Sequence, residues 1–89
     1  MTTETPHIRI KRLKMRSMRR GIKEMDIILS GFAGVSLIEM SGVQLDLYEE
    51  FLDENDQDLY QWVSGQAAGA AKYETLINQI KVYLTLRHQ

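Results

Sequence analysis

Apolar residues recur at helical spacing along almost the whole chain, and no segment keeps the strict alternation of a strand. Met25, Ile28, Leu29 and Phe32 form an i, i+3, i+4, i+7 face. Leu45, Tyr48, Phe51 and Leu52 form another, and Tyr73, Leu76, Ile77, Ile80, Tyr83 and Leu84 a third. Ile10, Leu13, Met18 and Ile22 make a looser stripe, and Leu59, Trp62 and Val63 a short one. With 89 residues to distribute, this pattern predicts an all-α fold, a compact bundle of five short helices.

Local signals place the breaks. Thr5 precedes Pro6 as an N-cap precedes a first-turn proline. Arg16, Arg19 and Arg20 suit the last turn of a helix, and Gly21 after them, able to take a positive φ, is expected to end helix one at Arg20. Glu24 and Asp26 then open the second helix on the favourable side of its dipole. Gly31 and Gly34, each costing roughly 1 kcal/mol relative to Ala, are expected to fray or break it near Gly34, leaving 35–40 as a helical turn or loop. Ser41 and Gln44 read as a capping box for helix three. Asn55 or Asp56 caps helix four, Gly65 closes it, and 66–71 connect to the last helix. Residues 8–87 are expected to form a single domain behind a flexible N-terminus, 1–7.

Charge is divided along the chain. Residues 1–24 carry eight Lys/Arg and two acids, whereas 25–71 carry nine acids and no Lys or Arg. A basic arm before an acidic body fits intramolecular pairing, a partner with patterned charge, or simply two solvated helix faces. The chain has no Cys, which excludes a zinc ribbon, a redox motif and a thiol nucleophile. No apolar run approaches the ~18 residues of a membrane span, and no secretory leader is apparent, so a cytoplasmic protein is expected.

Catalytic groups are scarce. His7 and His88 lie at opposite ends without a nucleophile or metal-ligand partner nearby. The acids between 46 and 58 lack the order of a calcium loop. Gly65, Gly69 and Lys72 have the wrong spacing for a phosphate loop. The arm from Arg9 to Lys23 could contact phosphates, but the acidic segments after it and a pI near 6.1 argue against nucleic acid. The densest chemistry is Arg19-Arg20-Gly21-Ile22-Lys23-Glu24-Met25-Asp26, a helix stop and start set back to back with strong charge-assisted hydrogen-bonding capacity.

Arg20-Gly21-x-x-Glu24-x-Asp26 resembles the R-G-x-x-E signature of the SdhE family, the succinate dehydrogenase assembly factors. The block from Phe51 to Trp62, with Asp56-x-Asp58-Leu59-x-x-Trp62, is similar to a second family block at the same distance. The arm Arg12-Leu13-x-x-Arg16-Ser17 looks more like alphaproteobacterial and mitochondrial members, and the absence of an extended presequence leads us to expect a bacterial one.

The resemblance implies a chaperone-like assembly factor rather than an enzyme. It would bind the immature flavoprotein subunit of succinate dehydrogenase and promote covalent attachment of FAD, with the fumarate reductase flavoprotein as a second client. In the client a His attacks the flavin 8α-methyl carbon while the flavin acts as electron sink, so the factor needs no nucleophile and no stably bound cofactor or metal of its own. It would hold the client so that the reacting groups stay aligned. Arg20, Gly21 and Glu24 are then the expected client contacts, with Asp26 capping or pairing with the arginines and Arg19 beside them. Asp56 and Asp58 are expected as structural caps, and Trp62 as core or interface. A monomer with no nucleic-acid partner is expected. An antitoxin-like or cytoskeleton-interacting role, and nucleic-acid binding through the arm, stay open as alternatives.

Overall fold

Thr5 starts the first helix: its side chain accepts a hydrogen bond from the Ile8 N–H at 3.2 Å, and Pro6 fills the first turn. The computed structural model describes residues 4–87, so His88 and the first part of the expected flexible N-terminus lie outside the described residues. Among the described residues the chain forms α1 (Pro6–Ser17), α2 (Lys23–Ser36), α3 (Gly42–Leu52), α4 (Asp56–Val63) and α5 (Glu74–Arg87), with single 3-10 turns at Leu37–Glu39 and Ala71–Tyr73. The all-α bundle of five helices is thus present.

Two expected boundaries move. Helix α1 stops at Ser17 instead of Arg20. Ser17 is fully buried, with its hydroxyl 2.8 Å from the Leu13 carbonyl oxygen and 2.6 Å from the Tyr48 hydroxyl. Met18, expected on the apolar stripe, is 57% exposed, and Ser17 occupies the inward position. Helix α2 does not break at Gly34 but continues to Ser36 and into the 3-10 turn. Burial of Met25, Leu29, Phe32, Ala33 and Leu37 along one continuous face outweighs the propensity cost of two glycines.

The other local signals act as read. Ser41 and Gln44 form a reciprocal capping box. Asn55 caps α4, accepting from the Gln57 N–H at 2.8 Å. Gly65 follows α4 with φ +84°, the one positive φ among the described residues. Helix α2 lies centrally against α1, α4 and α5, while α1 also contacts α3. The core is aromatic on one side, where Phe32, Tyr48, Phe51 and Tyr73 are all 1% exposed or less.

Candidate functional site

The site is the link between α1 and α2, and it is held by α4. Arg20 turns inward, leaving its side chain only 9% exposed. Its Nε donates to Asp56 Oδ1 at 2.7 Å, and an Nη donates to the Glu54 carbonyl oxygen at 3.4 Å. The other Asp56 oxygen accepts from the Gly21 N–H at 2.5 Å. One carboxylate therefore clamps a guanidinium and the adjacent backbone amide, and it sits at the α4 N-terminus, where the helix dipole favours an anion.

Two expectations, for Asp56 and Asp26, are corrected here. Gly21 does not adopt a positive φ. It is small because the Asp56 carboxylate approaches closely: a Cβ at Gly21 would lie 3.0 Å from Asp56 Oδ2. Asp56 does not act as the α4 cap, a task taken by Asn55, but reaches across to the link. Asp26 neither caps α2 nor pairs with an arginine; its carboxylate accepts a hydrogen bond from Ser30 Oγ at 3.3 Å, within its own helix.

Outside this clamp the corner presents free charge. Glu24, in the first turn of α2, is exposed and has no hydrogen-bond or ion-pair partner among the described residues. It borders a groove of about 370 Å³ between α2, α4 and α5, with Ile28, Val63 and Leu84 among its lining residues and Arg87 beside them. Arg19 and Lys23 are exposed and likewise unpaired among the described residues. Asp58 is exposed on the first turn of α4. Trp62 is half-buried, its ring centroid 6.3 Å from Phe51 and 5.9 Å from Tyr73, so it closes the edge of the aromatic core. The structure brings Arg20, Gly21 and Asp56 into direct contact, while Glu24, Arg19 and Asp58 remain on the surface.

The division of charge resolves in part within the molecule. Arg9 reaches Asp46 at 2.6 Å and Glu49 at 3.1 Å; Arg12 reaches Glu4 at 2.8 Å and Glu49 at 2.9 Å; Arg16 reaches Asp53 at 2.6 Å. These arginines share one face of α1 and line up with the acids of α3. Hydrogen bonds from Arg12 and then Arg9 hold the Glu49 carboxyl below its ordinary pKa, against the opposing effect of burial. The basic arm is therefore partly neutralised, which weakens the nucleic-acid alternative. No group of His, Cys, Asp and Glu among the described residues is arranged to hold a metal ion.

The long-range role of Asp56 was not legible locally. The acidic start of α4 is visible in sequence, but it reads equally well as capping, and nothing near it names Arg20 as its partner.

A family model described as flavinator of succinate dehydrogenase matches residues 11–84. Curated relatives printed as mitochondrial succinate dehydrogenase assembly factor 2 are similar to the chain. That of Aspergillus terreus is 50% identical over 56 residues, 63% of this chain and 19% of its own length. The Meyerozyma guilliermondii protein is 44% identical over 63 residues, 71% of this chain and 47% of its own. The Schizosaccharomyces pombe protein is 36% identical over 72 residues, 81% of this chain and 52% of its own. The matched stretch spans from about a fifth to about half of these relatives' length.

Proposed function

The chain belongs to the flavinator of succinate dehydrogenase family, and from that premise we propose that it is an assembly factor for succinate dehydrogenase. It binds the immature flavoprotein subunit and promotes covalent attachment of FAD. The observation that carries this reading is the family match over residues 11–84, which takes in the whole Arg20–Glu24 corner and the Asp56 clamp.

The chemistry belongs to the client. Its His and its bound FAD supply nucleophile and electron sink, so this chain works as a non-catalytic chaperone and holds no flavin stably itself. Its contribution is positional: a rigid corner held against the client limits the motion of the client's parts and keeps the reacting atoms aligned. Glu24, exposed and unpaired among the described residues, is the client-facing group, with Arg19 alongside and Gly21 leaving room for the Asp56 carboxylate behind it. The fumarate reductase flavoprotein is a second client of the same kind. The protein acts as a monomer in the cytoplasm. No helix among the described residues is long and apolar enough to cross a membrane.

The test is covalent flavin fluorescence of the denatured flavoprotein subunit, from cells with and without this gene. The band should vanish without the gene and return with the wild-type chain but not with Glu24→Ala. Equal bands in both strains at matched client levels would refute the assembly role.

A further inference from the structure

We infer that Asp56 is the positioning residue of the client-contacting corner, and that Arg20 works with it as a support and not as a contact. The inference rests on the assembly reading, and it assigns the Arg and Glu of the corner to different tasks.

Three observations converge. The Arg20 side chain is 9% exposed, with Nε held by Asp56 and an Nη directed at the Glu54 carbonyl, so its burial leaves little of the guanidinium open to a partner. The Asp56 carboxylate uses both oxygens on the link, one on a side chain and one on the backbone, and so fixes the path of the chain through Gly21. Ile22 is the N-cap of α2 and supplies no side-chain hydrogen bond, so no local cap anchors the end of α2 that carries Glu24. The clamp from α4 supplies that anchorage from outside. Glu24 is the second residue of α2, three positions beyond Gly21, and follows wherever the link is held.

The experiment measures dissociation constants for the purified succinate dehydrogenase flavoprotein subunit, alongside circular dichroism and the amide resonance of Gly21. Asp56→Asn keeps the side-chain volume but cannot hold both donors as a charged acceptor does. It should weaken client binding about tenfold or more, keep the helical signal, and shift the Gly21 amide. Asp58→Ala, on the same turn, should bind as wild type.

A double-mutant cycle separates positioning from general stability. If Asp56 acts by placing Glu24, Asp56→Asn should cost much less in a Glu24→Ala background than alone. Additive losses, an unmoved Gly21 amide or undiminished binding by Asp56→Asn would overturn the inference. Full binding by Glu24→Ala would overturn it too, by removing the group that the clamp is said to present. If the wild-type chain itself fails to bind the subunit, the assembly reading falls and takes the inference with it.

Discussion

The hydroxyls of Ser17 and Tyr48 lie 2.6 Å apart in the core, both residues 0% exposed, and join the last turn of α1 to the middle of α3. The Ser17 hydroxyl donates to the Leu13 carbonyl oxygen at 2.8 Å, so the Tyr48 O–H is the donor between the two. Replacing Ser17 by Ala leaves the Tyr48 hydroxyl buried without a partner. Ser17→Ala should therefore lower unfolding free energy by about 1–3 kcal/mol, and Tyr48→Phe by less, since Ser17 keeps its carbonyl. Urea denaturation of the single and double variants checks this: the double should recover part of the Ser17→Ala loss.

Two glycines of α2 should respond in opposite directions to alanine. A Cβ at Gly34 meets nothing within 4 Å, so Gly34→Ala should stabilise by about 1 kcal/mol through helix propensity. A Cβ at Gly31 would lie 2.0 Å from the Tyr83 hydroxyl. Tyr83 would have to leave its edge-on contact with Phe32, where the centroids are 6.0 Å apart, so Gly31→Ala should lower the melting temperature despite the same propensity gain.

Stability should fall on both sides of neutrality. Glu49 is held below its ordinary value of 4.5 by Arg12 first and Arg9 second. A depressed folded-state pKa contributes stability above the ordinary value and loses it as pH drops through the folded one. Melting temperature should therefore decline below about pH 4.5, less steeply for Glu49→Gln. Burial pushes the Tyr48 pKa up from 10.0 to about 12. A raised folded value leaves stability intact below 10.0 and removes it as pH rises towards about 12, a loss that Tyr48→Phe should reduce, with the part due to Tyr73, also raised by burial, remaining.

Gly21→Arg tests the close approach of Asp56. Its Cβ would lie 3.0 Å from the carboxylate oxygen that accepts the Gly21 N–H, and the longer side chain would cover the corner. Circular dichroism should remain helical while binding to the flavoprotein subunit is lost. Unimpaired binding would exclude this corner as the contact.

Much of the architecture was legible because its causes are local. The Ser41–Gln44 box, the Asn55 cap, the Gly65 stop and the apolar faces of α3, α4 and α5 depend on residues a few positions apart. Helix α1 ends before the stop that two dipole-favoured cations, Arg19 and Arg20, and the helix terminator Gly21 signal locally. Their actual partners are remote.

The sequence by itself determined which segments are helical and that Arg20, Gly21 and Glu24 fall at a junction. Only the tertiary structure decided that Asp56 accepts from both Arg20 and Gly21, that Arg9, Arg12 and Arg16 meet the acids of α3, and that Glu24 is left exposed. The physical reason is that helix propensity and capping act within a turn or two, whereas a carboxylate chooses among distant cations only after packing has brought helices together.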